Sequence, residues 1–449
     1  MHRLAISLLA LGAAAAFAQD PAVLGIMRSR TPGQRGRALP ERGATGGDAV
    51  VMRALRWLRT VQNEDGSWPG NPVSETALAL WTYLDHHEVP AGDTEFGPTV
   101  GRGLRFLVDD LDPETGLFRS AGGDPLAQPL GAFAIALGYA MDRSPALHDA
   151  GPAAFRPLLA GQRHDGAWNA DPLDPSPKGR GDPRMTAVCS LVLRGARQWR
   201  GDVASFAPDE SLARATGALL AFLDPVKDVV TDAANAADPA TAAVVFALQR
   251  LGRHDDPAVR RAVGKLAACN RSCEAWDGPQ LWRRSKEPLR DWFYVTNVKF
   301  QDGGRTFADW NKQSLPSTIR SQTVVPAEES GYSDLSGRGR DLGYWDSPSE
   351  GERAFRGEGA VLACRRWRDG ECFEGETTLG DRVRDTCLAS LPMMVYYAFL
   401  PASGRFGLDD PTPAWTQPPN ARTNRDVHVN VARRRQSNSA TFENSPTDR

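Results

Sequence analysis

The heptapeptide "QNEDGSW", Gln62 to Trp68, sets a glutamine, an acidic turn, a glycine and a tryptophan at Q-x-x-x-G-x-W spacing. It recurs as "QRHDGAW", Gln162 to Trp168. Each copy lies between two stretches with a helical pattern. Before the first, Leu55, Trp57 and Leu58 alternate with Arg53, Arg56 and Arg59, which predicts a helix with one wet face. After it, Ala77, Leu78, Ala79, Leu80 and Trp81 run without a break, which predicts a buried helix.

The same helix–turn–helix unit can be followed along the chain. "RGLRFLVDDLDPETGLF" leads to "PLAQPLGAFAIALGYAM", and "AAFRPLLAGQRHDGAW" leads to "DPRMTAVCSLVLRGARQW". Weaker units follow: "LARATGALLAFLD" with "ADPATAAVVFALQRLG", then "AVRRAVGKLAAC" with "DWFYVTNVKFQDGG". The last pairs "WNKQSLPSTIRSQ" with "DRVRDTCLASLPMMVYYAFL". Repeats of this period mean stacked supersecondary units. The expected fold is all-α, with about six hairpins in two layers.

The extended signature is a basic residue, a small residue, an aromatic–aliphatic pair, then Q-x-x-x-G-x-W. Here it is Arg53, Ala54, Trp57, Leu58, Gln62, Gly66 and Trp68. The third unit has Gln162, Gly166 and Trp168. The second has Arg102, Gly103, Phe106, Leu107 and Gly116, with Asp112 near the glutamine position and Phe118 for tryptophan. The last has Gly343 and Trp345 and is read as lacking the glutamine. This pattern resembles the repeat of squalene and hopene cyclases and of protein prenyltransferases. The resemblance implies an α/α toroid, a barrel of about six helical hairpins in two concentric layers, over residues 48–402 with an insertion at 346–381. The repeat residues are read as glue between hairpins. Glutamine bonds orphan backbone groups at helix ends, and tryptophan fills the gap between neighbours.

The resemblance also implies where chemistry would sit. The cyclases protonate an alkene with the middle aspartate of D-x-D-D, followed by Thr-Ala at the start of an inner helix. Here "PVSETA" puts Ser74 in the donor slot with Glu75 beside it. "DPRMTA" keeps Asp182 first but has Arg184 in the slot. "ADPATA" has Pro239, and "RVRDTC" has Arg384 followed by Asp385. None of these residues is an acid of the kind the role needs. Glu75, Asp182 and Asp385 are the candidates for a displaced acid. The prenyltransferases hold zinc with Asp, Cys and His. Asp385 and Cys387 have that spacing, but the only later histidine is His428. A carbohydrate-active toroid would draw on Glu75, Asp182, Asp291, Asp341 or Asp385 with Trp81, Trp282, Trp292 or Tyr294. The bland alternative is surface carboxylates and packed tryptophans. No P-loop, no dinucleotide fingerprint and no serine-hydrolase elbow occurs, so no cofactor is expected. The aromatic stretch 288–311 is read as an inner helix and the turn after it.

The chain has 449 residues, 41% hydrophobic and 24% charged, enough to bury a sizeable core. A net charge of −2 does not suit a nucleic-acid binder. "MHRLAISLLALGAAAAFAQD" reads as a signal peptide, 1–18, cleaved after Ala18, so the protein is expected to be secreted or periplasmic, with no transmembrane span. Residues 19–47 read as a flexible linker and 403–449 as a disordered tail. Export makes the six cysteines disulfide candidates. Cys269 with Cys273 and Cys364 with Cys372 are natural local pairs, leaving Cys189 and Cys387. The resulting expectation is a non-catalytic toroid that binds an apolar, isoprenoid-like ligand or a protein partner. The alternative is a terpene-cyclase-type enzyme with a displaced acid.

Overall fold

The structure is a computed structural model describing residues 47–90, 94–199, 206, 208–223, 239–268, 288–346, 366–368, 371–373 and 378–395. The expected signal peptide, nearly all of the linker, the tail, most of the insertion, Trp282 and His428 lie outside the described residues. So do Cys269, Cys273, Cys364 and the side chain of Cys372.

The described chain is all-α apart from short strands. The order is α1 (Gly47–Thr60), α2 (Pro72–Asp85), α3 (Gly97–Asp110), α4 (Ala127–Asp142), α5 (Pro145–Ala160) and α6 (Pro183–Ala196). Next come α7 (Pro208–Phe222), α8 (Pro239–Arg250), α9 (Pro257–Ala268), α10 (Pro288–Asp302) and α11 (Gly304–Arg320). The remainder is β1 (Thr323–Val325), α12 (Ala327–Ser330), β2 (Leu342–Tyr344), β3 (Arg366–Arg368), β4 (Glu371–Phe373) and α13 (Leu379–Met393). β1 pairs antiparallel with β2, and β3 with β4.

Helix starts follow capping chemistry. Asn71 caps α2 by accepting from the Val73 and Ser74 amides, with Pro72 at the first helical position. Asp182 caps α6 through the Met185 amide, followed by Pro183. Thr378 and Asp381 form a capping box on α13. The two kinds of helix differ as their sequences require. α1 buries Val50, Val51, Ala54, Leu55, Trp57 and Leu58 along one stripe. In α2 and α4 nearly every residue is buried.

Packing follows the same division. α2 packs on α4, α4 on α6, α6 on α8, α8 on α10, α10 on α13, and α13 back on α2. The remaining long helices sit on the seams. α3 touches α2 and α4, α5 touches α4 and α6, α7 touches α6 and α8, and α9 touches α8 and α10. α1 touches α2 and α13, and α11 touches α10 and α1.

This order corrects one expectation. Cys189 and Cys387 are both free, buried thiols, not disulfide partners. They lie on α6 and α13, which have two helices between them in either direction around the packing order. A disulfide requires Cα atoms within roughly 7 Å.

Candidate functional site

The Q-x-x-x-G-x-W residues build a hydrogen-bonded joint between hairpins. Gln62 Nε2 donates to the Gly66 and Thr99 carbonyls, both at 3.0 Å, and its Oε1 accepts from Arg102. Gln162 Nε2 donates to the Gly166 and Ser211 carbonyls, both at 2.9 Å, and its Oε1 accepts from Arg214. Trp68 and Trp168 are buried, and their indoles donate to Leu58 and Leu158 carbonyls at 2.8 Å. Their backbone amides donate to Thr76 and Thr186 hydroxyls at 3.0 Å. These threonines therefore serve the joint. Gly66 adopts φ 95°, and a Cβ there would lie 2.4 Å from the Arg102 carbonyl oxygen. Only glycine meets both demands.

Two joints depart from the linear motif. The last one has its glutamine after all: it is Gln322, ahead of β1, while Gly343 and Trp345 lie in and after β2. Gln322 Nε2 donates to the Val50 carbonyl at 2.9 Å, and its Oε1 accepts from Arg53 Nε at 2.8 Å. Trp345 donates to the Thr318 carbonyl at 2.9 Å and, through its amide, to Thr386 at 3.2 Å. In the second unit the glutamine's part is taken by Gln128 of α4. Its Nε2 reaches the Gly116 and Ala154 carbonyls, both at 2.8 Å. Asp112 instead closes its own turn by accepting from the Glu114 and Thr115 amides.

The candidate acids occupy helix starts. Glu75 is fully buried in the first turn of α2. Its carboxylate is ion-paired with Arg384 of α13 and accepts from Ser74 Oγ at 2.6 Å. Gly70 and Gly380 approach so closely over this pair that a Cβ on Gly380 would lie 2.5 Å from the Gly70 Cα. Burial works against the Arg384 charge. Glu75, with Asp381 and Asp385, more than offsets it and holds the guanidinium above its ordinary value. Two donor-slot residues, Ser74 and Arg384, thus both clasp Glu75. Asp385 is buried beside them, so the structure brings Glu75 and Asp385 around Arg384. Asp182 is not part of that group. It accepts from the Met185 amide at 2.7 Å as the cap of α6. Arg184, the third unit's donor-slot residue, pairs with Asp291 of α10 at 3.3 Å. Asp341 accepts from the Ala327 amide and belongs to the β1–β2 turn.

Deeper along the helices lies a cluster of edge-packed aromatic rings. Trp81 of α2 makes edge contacts with Phe133 of α4 at 5.0 Å and Phe293 of α10 at 5.2 Å. Phe293 continues to Phe246 of α8, which reaches Tyr294. Trp292 packs on Trp310. α2 and α10 are not consecutive in the packing order, nor are α6 and α10. The Trp81–Phe293 and Arg184–Asp291 contacts therefore reach past an intervening helix.

Sequence reasoning passed over the charged groups at the far ends of the same helices. Asp85, at the end of α2, accepts from the Trp81 indole at 3.0 Å. Burial pushes its carboxyl up to about 7, against the pull of Trp81 and Arg250. Arg250 and Arg194, ending α8 and α6, are buried, and burial lowers both guanidinium values. The available signal was a charge closing an otherwise apolar helix, as in "TALALWTYLD" and "VVFALQR".

Among the described residues no cluster of three or more His, Cys, Asp or Glu side chains could hold a metal ion. No helix among them is long and apolar enough to cross a membrane. No family model matches the chain, and no match to it is found among curated proteins or solved structures.

Proposed function

We propose that the chain is an exported, squalene-cyclase-like α/α toroid that has lost proton-donor chemistry and serves as a binding ring for a protein partner. Support for the ring comes from the cyclic packing order and from the Gln322 joint, which ties the last hairpin to Val50 and Arg53 of the first. Helices α2, α4, α6, α8, α10 and α13 form its inner layer, and α1, α3, α5, α7, α9 and α11 its outer layer.

The observation that carries the non-catalytic reading is the Glu75–Arg384 pair. An acid that protonates an alkene must hold a proton and face its substrate. Glu75 instead serves as counter-ion to a guanidinium, beneath two abutting glycine backbones. Asp182 is occupied as a cap. The contacts reaching past intervening helices favour a partner held at the rim, where Arg184 and Arg384 are partly exposed. The second reading, an apolar isoprenoid-like ligand, rests on the aromatic faces of Trp81, Phe133 and Phe293.

One experiment separates the readings. The full chain is recovered from the culture supernatant or periplasm and studied by native mass spectrometry. It is then incubated with squalene as probe, and the extract is analysed by gas chromatography and mass spectrometry. Unchanged squalene and no stoichiometric lipid are expected. A cyclised product that disappears in Glu75→Gln would overturn the non-catalytic reading. An isoprenoid at one per chain would replace the protein partner with the ligand.

A further inference from the structure

Away from the donor slots, the other end of α2 carries a compact group of ionisable side chains in "YLDHHE", residues 83–88. The helix stops at His86, and His87 takes a left-handed φ of 67°. The His87 amide donates to the Leu84 carbonyl and the Glu88 amide to the Tyr83 carbonyl, both at 2.9 Å. That is the Schellman arrangement, with histidine where glycine is usual.

The turn folds Glu88 back onto the imidazole. Glu88 Oε1 lies 3.0 Å from His86 Nδ1, and Asp48 Oδ1, from the first turn of α1, lies 3.4 Å from His86 Nε2. His86 and Glu88 are both buried. An imidazole between two carboxylates donates from both nitrogens only as the cation. One residue earlier, Asp85 engages Trp81 and feels Arg250 of α8. Its second oxygen, Oδ1, is buried with no hydrogen-bond donor. A buried carboxylate oxygen without a donor is costly when charged and far less so when the acid is neutral.

We propose that residues 85–88 form a two-proton latch. One proton, on His86 between Asp48 and Glu88, ties the end of α2 to α1. The other, on Asp85, keeps that end neutral where one carboxyl oxygen is buried without a donor. Loss of both protons to solvent loosens the first hairpin.

The groups facing the latch come from several elements. α1 supplies Asp48, α8 supplies Arg250, and Arg194 of α6 acts on Arg250. Tyr83, within the segment, is influenced by Tyr332, by Cys387 of α13, by Arg59 of α1 and by Glu88. The signs of the two protons agree. Burial raises Asp85 from 3.8 to about 7. Its stabilising contribution is whole below its ordinary value and is lost as pH climbs to about 7. Burial alone would lower His86, but the hydrogen bonds and charges of Asp48 and Glu88 outweigh it and raise the imidazole above 6.5. That contribution is whole below 6.5 and is lost as pH rises through the folded value. Both protons are therefore held more tightly by the folded chain, and the latch weakens as pH rises towards and past neutrality.

Hydrogen–deuterium exchange of the full chain at about pH 6 and about pH 8, corrected for intrinsic rates, tests this. Peptides covering the end of α2 and the start of α1 are expected to lose protection at the higher pH. Asp85→Asn and His86→Gln should each remove part of that change, and the double variant nearly all of it. Asp48→Asn guards against misfolding of the buried variants, because Asp48 is 42% exposed. It should reduce the change at α1 and leave the Asp85 part. Equal protection at both values in the native chain overturns the latch. So does a pH response that survives in the double variant, or an unaltered one in Asp48→Asn should the double variant not fold.

Discussion

The first and last joints make corresponding bonds, the Gln62–Gly66 one apart, from differently spaced sequence. In the first, glutamine, glycine and tryptophan lie within Gln62 to Trp68, with the glycine at φ 95° against a carbonyl of the next helix. In the last, β1, α12 and a turn separate Gln322 from Gly343 and Trp345. The antiparallel register, with Thr323 opposite Tyr344, returns Gln322 and Trp345 to one place. The indole still donates to the preceding helix, the glutamine still bonds the next one, and a threonine still receives the tryptophan amide. The constellation in space is what the fold needs. Contiguity in sequence is only its cheapest realisation, and a paired strand substitutes for it. The glycines differ. The three atoms nearest to a Cβ on Gly343 would all belong to the Gln322 side-chain amide, the first at 2.5 Å.

The tryptophans give the hardest test of equivalence. Trp68, Trp168 and Trp345 are each buried with a satisfied indole. Replacement by alanine should cost about 3–5 kcal/mol at each site, read from urea unfolding midpoints. A cost at Trp345 well below that at Trp68 would show that the interrupted joint is a looser copy. The glycines, unlike the tryptophans, should split. Gly66→Ala adds left-handed strain and a backbone collision, about 3 kcal/mol or more together. Gly343→Ala should cost about 1–3 kcal/mol, because a side-chain amide can be displaced. Equal costs would mean that the last joint is as rigid as the first.

The same contrast explains what could be read from the sequence. Helix positions were legible because periodicity and caps are local: Asn71 and Asp182 precede prolines, and the stripe of α1 differs from the unbroken apolar run of α2. The contiguous glutamine joints were legible for the same reason. Gln322 was not, since an insertion splits its motif. Gln128 was not, since it reaches Gly116 from the following helix instead of the preceding one. Glu75 was singled out for its place beside the donor slot, but its partner Arg384 lies 309 residues away and is joined to it only by the packing of α13 on α2. Cys189 and Cys387 failed as a pair for the converse reason. An even count proposes partners, while α6 and α13 hold these two apart. Asp85 and Arg250 were passed over because a charge ending an apolar helix looks exposed until a neighbouring helix covers it.

The smallest expected effect bears most directly on closure. Gln322 is buried and bonds the Val50 carbonyl and Arg53, so its loss breaks two hydrogen bonds in a site shielded from solvent. Gln62 is only partly buried, and solvent can replace part of what it supplies. Gln322→Ala should therefore cost about 1–3 kcal/mol and Gln62→Ala about 1 kcal/mol or less. A double-mutant cycle of Gln322→Ala with Arg53→Ala should return a coupling on the order of 1 kcal/mol, because the two side chains touch. The pair joins α1, where the described chain begins, to the end of α11. A coupling near zero, or a Gln322 cost no greater than that of Gln62, would place the weight of closure elsewhere, on α13 against α1 and α2. A clear coupling would make this joint a principal tie between the first and last hairpins, as the proposed ring requires.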